Sequence, residues 1–121
     1  MTFSQKKNPL QEKSYAFALR IVKASTHLQQ KKKEFTLTRQ LLKSGTSIGA
    51  NVEEAVHSQS RAEFVAKLQI SIKEAFECGY WIRLMHDAGF FTAKEFISLS
   101  TDLAELQKLL TAIIKTTKSR K

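Results

Sequence analysis

Ser44-Gly45-Thr46-Ser47-Ile48-Gly49-Ala50-Asn51-Val52-Glu53-Glu54-Ala55 is the stretch on which the reading of this chain turns. It keeps a helical spacing of apolar residues, yet it is rich in small and short polar side chains. Glycine inside a helix costs roughly 1 kcal/mol against alanine, so close backbone approach in the tertiary or quaternary structure must compensate. At about 100° per residue, Leu41, Leu42, Gly45, Ile48, Gly49, Val52, Ala55 and Val56 share one arc. That face is apolar and notched by glycines. Ser44, Ser47, Asn51, Glu54 and Ser58 share its flank. Such side chains compete with the helix backbone for hydrogen bonds and are poor choices for a merely solvated surface. The flank therefore reads as a polar seam against a neighbour, with a solvated stripe as the plainer alternative.

Working outward, the start and stop signals divide the chain into four helices. Asn8-Pro9 opens the first: asparagine caps, and proline at the first helical position sacrifices no hydrogen bond. Leu10, Phe17, Ile21, Ala24 and Leu28 form its stripe, and Lys31-Lys32-Lys33 supplies cations to its last turn. A short connection around 34–36 leads to the second helix, which runs to about His57. Ser60 with Glu63, and Thr92 with Glu95, have capping-box spacing and open the third and fourth helices. Gly89 supplies a left-handed stop to the third. Phe96, Leu99, Leu103, Leu106, Leu110 and Ile113 form a seam along the fourth at alternating spacings of three and four. The ends, about 1–7 and 117–121, read as short basic tails, the latter fraying. Long helices with short connections predict one all-α domain over 1–121, an antiparallel up-down-up-down four-helix bundle.

The glycine-notched segment, read as Gly-Thr-Ser-Ile-Gly-Ala-Asn-Val-x-Glu-Ala, resembles the signature of the ribosomal-RNA intervening-sequence protein family, small bacterial four-helix bundles. The likeness continues in Ser60-Arg61-Ala62-Glu63-Phe64-Val65-Ala66-Lys67, Lys73-Glu74-Ala75, Tyr80-Trp81-Ile82-Arg83-Leu84 and Gly89-Phe90. It spans essentially the whole chain. Glu53 departs from it, standing where the family usually has a small residue. The chain is also similar to accessory variability proteins of diversity-generating retroelements, basic pentameric bundles that partner a reverse transcriptase. The resemblance implies a homopentamer and a partner that is RNA, DNA or an enzyme acting on nucleic acid. Nothing in the residue spacing shows the number five.

The third helix carries more apolar surface than one bundle position needs. Phe64, Val65, Leu68, Ile72, Ala75, Phe76, Gly79 and Ile82 make a broad core face, while Ile70, Trp81 and Leu84 lie on another side. A bundle helix buries one stripe somewhat over about 100° wide; a second stripe predicts an interface, with Trp81 as its anchor. The rival reading folds Trp81 back along its own helix at the core edge. Lys67, Lys73, Glu74, Glu77 and Arg83 flank the stripe and offer interchain ion pairs that set orientation more than affinity. A closed ring needs two different patches. The Ser47/Asn51/Glu54 flank and the Lys67, Ile70, Lys73, Glu74, Glu77, Trp81 and Leu84 surface are the two expected here.

Charge narrows the partners. Twenty Lys and Arg stand against eleven Asp and Glu in 121 residues, a net +9, which favours anionic partners by long-range attraction. An up-down-up-down bundle brings Lys6, Lys7, Arg61, Lys115, Lys118, Arg120 and Lys121 to one pole and Lys31–Lys33 to the other. Such clusters hold phosphates without reading sequence, and no aromatics interleave with them for base stacking. Enzyme chemistry finds little support. Glu54-x-x-His57 has the spacing of a di-iron half-site, but no second copy exists. No phosphate loop, nucleophile elbow or Cys/His metal spacing occurs, so neither a metal nor another cofactor is expected. The single Cys78 allows no internal disulfide. With no apolar run of membrane length and no signal-peptide pattern after Met1, the expected location is cytoplasmic. The expectation is a non-enzymatic, self-assembling basic bundle that binds nucleic acid or a nucleic-acid enzyme. The alternative is a protein-interaction scaffold that binds none.

Overall fold

Four helices make up the protein, as seen in a computed structural model that describes residues 8–120. They are α1 (Pro9–Lys31), α2 (Thr36–Val56), α3 (Arg61–Asp87) and α4 (Ala93–Ser119), with no strand among the described residues. The chain forms an all-α four-helix bundle.

Each boundary has a local cause. The Asn8 carboxamide oxygen accepts from the Leu10 and Gln11 N–H groups at 2.9 and 3.3 Å, with Pro9 in the first helical position. α1 stops at Lys31, short of the expected Lys33, because Lys33 turns into the left-handed region at φ 55°. The connection that follows conceals the cap of α2. The Glu34 carboxylate reaches forward and accepts from the N–H groups of Thr36, Leu37 and Thr38 and from the Thr38 hydroxyl, at 2.7–3.1 Å. Three of the four orphan donors of that helix end are satisfied by one side chain.

At α3 the expected capping box forms on one side only. The Ser60 hydroxyl accepts from Glu63 N–H, but the Glu63 carboxylate turns to Gln59 N–H rather than to Ser60. At α4 the reciprocal box of Thr92 and Glu95 is complete. Gly89, at φ 91°, ends α3; the N–H of Phe90 meets Met85 C=O at 2.8 Å and that of Gly89 meets His86 C=O at 3.0 Å, the paired bonds of a Schellman stop. α4 runs on through Thr117 to Ser119, where the sequence suggests fraying. The Thr117 hydroxyl donates back to Ile113, and the Arg120 carbonyl is held by the Arg61 guanidinium.

α2 packs most extensively, against both α3 and α1; α4 covers α3 and, less closely, α1. The contacts are specific. Gly45 lies over Ile21 and Gly49 over the Ser14 carbonyl. The Ser71 hydroxyl donates to Ile48 C=O at 2.8 Å, Gly79 faces Leu103, and Lys13 and Arg20 pair with Glu105 and Asp102. The core contains the expected Phe17, Ile21, Leu28, Leu41, Ile48, Val52, Leu68, Ala75, Ile82, Leu99, Leu103, Leu106 and Leu110. Three expectations are corrected. Phe76 is 64% exposed rather than part of the core face. Ile114 rather than Ile113 is the buried end of the α4 seam, with Ile113 packed half-buried against the core beside it. On α1 the inner position falls to Ser25, and Ala24 is only half-buried.

Candidate functional site

Two surfaces gather the residues singled out for function. The first is basic. Arg61, at the start of α3, donates to the Arg120 carbonyl just beyond α4 at 2.6 Å, so these two helix ends meet. Lys115 and Lys118 are exposed on the last turns of α4. Arg61, Lys115, Lys118 and Arg120 therefore occupy one end of the α3/α4 pair. Lys6, Lys7 and Lys121 lie outside the described residues. Lys31, Lys32 and Lys33 are exposed at the α1/α2 turn.

Between α3 and α4, next to this basic end, runs a groove of about 1020 Å³. Its apolar surface comes chiefly from Ile70, Ile72 and Ile114, and Lys73, Lys115 and Lys118 line it too. None of its lining residues is acidic. Among the described residues none of these three lysines is in an ion pair.

The second surface is the outer side of α3. Ile70, Phe76, Tyr80 and Leu84 are exposed there. Trp81 is half-buried against the core, and its indole N–H donates to the Glu77 carboxylate one turn earlier at 3.1 Å. Tyr80 meets Trp81 edge-on, ring centres 5.0 Å apart, and carries the Arg83 guanidinium 5.8 Å above its ring. Trp81 thus braces the stripe, while Phe76 and Tyr80, which the sequence reading left off it, supply most of its exposed aromatic surface. Ile70 and Lys73 lie in the groove, apart from Glu77, Trp81 and Leu84 further along α3.

The polar flank of α2 is largely satisfied within the chain. Ser47 donates to Lys43 C=O and Asn51 to Ser47 C=O. Glu54 and Lys67 form an ion pair across α2 and α3 at 2.7 Å. That hydrogen bond, and then the Glu54 charge, raise the Lys67 ammonium above its usual range. Ser44 is fully buried facing α3. Beside it, burial pushes the Cys78 thiol up to about 12, against a smaller lowering by its hydrogen bond to Ser44. The thiol stays protonated at neutral pH, which is the opposite of an activated nucleophile.

A third patch escaped the sequence reading. Tyr15, Leu19 and Val22 are all exposed on α1, Tyr15 by 72%. Their spacing of four and three, off the core stripe, was the available signal. α1 and α3 each lie between α2 and α4, so these apolar patches sit on opposite sides of the bundle.

Glu54 and His57 assemble nothing metal-like: both are exposed, and His57 Nδ1 lies 2.9 Å from its own helix's Glu53 carbonyl. No group of three His, Cys, Asp or Glu that could hold a metal occurs among the described residues. No described helix is long and apolar enough to cross a membrane.

Comparison with known proteins agrees with this architecture. No curated protein matches the chain. A crystal structure of a protein of unknown function from the S23 ribosomal protein family of Bacteroides thetaiotaomicron superposes with a TM-score of 0.86. It is 45% identical, over 88% of this chain and 98% of that one. The model of the 23S rRNA-intervening sequence protein family matches residues 6–112. Signature, helix order and this match lead to one conclusion: the chain belongs to the 23S rRNA-intervening sequence protein family.

Proposed function

We propose that this protein is a non-enzymatic, cytoplasmic bundle that assembles into a homopentameric ring and presents basic clusters to nucleic acid, RNA or DNA, or to an enzyme acting on it, such as a reverse transcriptase. The observation that carries the reading is the meeting of Arg61 and Arg120 beside Lys115 and Lys118. A basic cluster of this kind attracts phosphates with no need for base contacts.

The helices run alternately up and down in this reading. Support comes from the order of contacts: Ser14 with Gly49 but Ile21 with Gly45, Ile48 with Ser71 but Glu54 with Lys67, Lys13 with Glu105 but Arg20 with Asp102. In each pair of helices, moving forward along one moves backward along the other. The ring is supported by two unlike apolar patches on opposite sides, Tyr15/Leu19/Val22 and Phe76/Tyr80/Leu84. Head-to-tail joining of unlike patches closes cyclic assemblies. The family's name, and the ribosomal name of the Bacteroides protein's family, favour RNA as the partner.

The test is RNA binding by fluorescence anisotropy across a salt series. Neutralising Arg61, Lys115, Lys118 and Arg120 together is expected to weaken binding at least about tenfold and to flatten the log–log salt slope by about 3, at roughly 0.7 for each phosphate no longer neutralised. Absent binding, or binding insensitive to salt, overturns the nucleic-acid reading. The scaffold alternative then takes its place, favoured by the same exposed aromatic stripe on α3.

A further inference from the structure

We infer that the groove between α3 and α4 docks an amphipathic helix of a partner protein, apolar along one face and acidic on its flanks. Ile70, Ile72 and Ile114 give the groove an apolar floor, and Lys73, Lys115 and Lys118 surround it with three ammonium groups that are in no ion pair among the described residues. An occupant must therefore bring apolar and negative surface together.

The dimensions select a helix. From residue 66 to 73 on α3 and from 111 to 119 on α4, the groove extends about 10–12 Å at about 1.5 Å per residue. That span accepts apolar anchors at i, i+4 and i+7, the usual pattern of a helix lying in a groove between two others. Rival occupants fit less well. A phosphodiester backbone gains nothing from an isoleucine floor, and no aromatic side chain lines the groove for base stacking. A small anion would be left largely in water by a groove open along its length, whereas small-molecule sites bury most of their ligand. Residues 1–7 carry Lys6 and Lys7 and no Asp or Glu, so the charge of that segment has the wrong sign.

The experiment uses the full chain and a fluorescent synthetic helix of about twelve residues, with leucines at i, i+4 and i+7 and glutamates on both sides. Anisotropy is expected to show saturable binding of this peptide and none of its counterpart with lysine for glutamate. Ile70→Glu, and separately Lys115→Gln with Lys118→Gln, are expected to weaken binding about tenfold or more. The uncharged Ile70→Asn variant is expected to weaken the peptide likewise and to leave RNA binding unchanged, so this inference and the nucleic-acid reading can fail separately. Equal binding of the lysine peptide, or unchanged binding by both variants, overturns the inference. So does a fall from oligomer to monomer in Ile70→Glu by light scattering, which would assign the groove to a second copy.

Discussion

At the scale of the residue, the glycines of α2 and α3 look alike in sequence but have different roles. A methyl group at Gly45 would stand 2.8 and 2.9 Å from the γ carbons of Ile21. A β-branched neighbour close to its own backbone cannot swing aside. At Gly49 the obstacle is backbone, the Ser14 carbonyl oxygen at 3.3 Å. At Gly79 only the Leu103 methyl comes near, at an ordinary 3.4 Å. Gly45→Ala is therefore expected to lower stability by up to about 2 kcal/mol, overpacking of about 1–3 kcal/mol set against the helix-propensity gain of about 1. Gly79→Ala keeps that gain and is expected to stabilise by up to about 1 kcal/mol. Urea unfolding midpoints of the two variants check the contrast; equal effects would mean that the α1–α2 approach is looser than described. The glycine notch could be read from the sequence as a demand for close approach. Which helix makes that approach is a tertiary fact.

At the scale of the element, α2 depends on a residue outside it. Burial raises the Glu34 carboxyl, but hydrogen bonds from Leu37 N–H, the Thr38 hydroxyl, and the Thr38 and Thr36 N–H groups outweigh this and hold it below the usual 4.5. A carboxyl depressed in the folded state contributes stability that is present above 4.5 and lost as pH falls through its lower folded value. Glu34→Gln is expected to cost about 1 kcal/mol at neutral pH, a typical capping loss. It should also flatten the fall in thermal midpoint below pH 4.5, followed by circular dichroism. An unchanged acid limb would show that Glu34 does not bear the cap. The sequence hid this device because Glu34 sits one residue before the N-cap position, Phe35, where capping rules look for Ser, Thr, Asp or Asn. Thr92-x-x-Glu95 matches a pattern that those rules contain, and it formed in full.

At the scale of the whole molecule, three exposed apolar groups on α1 and four on α3 remain after the four helices have packed. Large apolar groups gathered this way mark a contact surface. On the proposed ring, the double variant Phe76→Lys/Leu84→Lys is expected to reduce the mass by light scattering from near five times 13.8 kDa to a single chain. Its helical content should stay unchanged, since both side chains are exposed in one chain. A wild-type protein already at 13.8 kDa would remove the ring and leave the stripe to another partner. The sequence reading found surplus apolar surface on α3 but assigned Phe76 inward and Trp81 outward. The two are five residues apart, and the difference between them depends on how far α3 is rotated toward α2 and α4.

By itself the sequence determined four helices, most of their caps and nearly all of the core, because helix periodicity and capping are local and depend on near neighbours in the chain. Tertiary structure alone decided that Ile114 and not Ile113 closes the α4 seam, and that Ser25 lies inside while Phe76 lies outside. It also decided that Arg61 reaches Arg120 and that three lysines share an isoleucine-floored groove. These are questions of helix rotation and of distance across the bundle. A periodic stripe about 100° wide leaves its edges undetermined until neighbouring helices choose them.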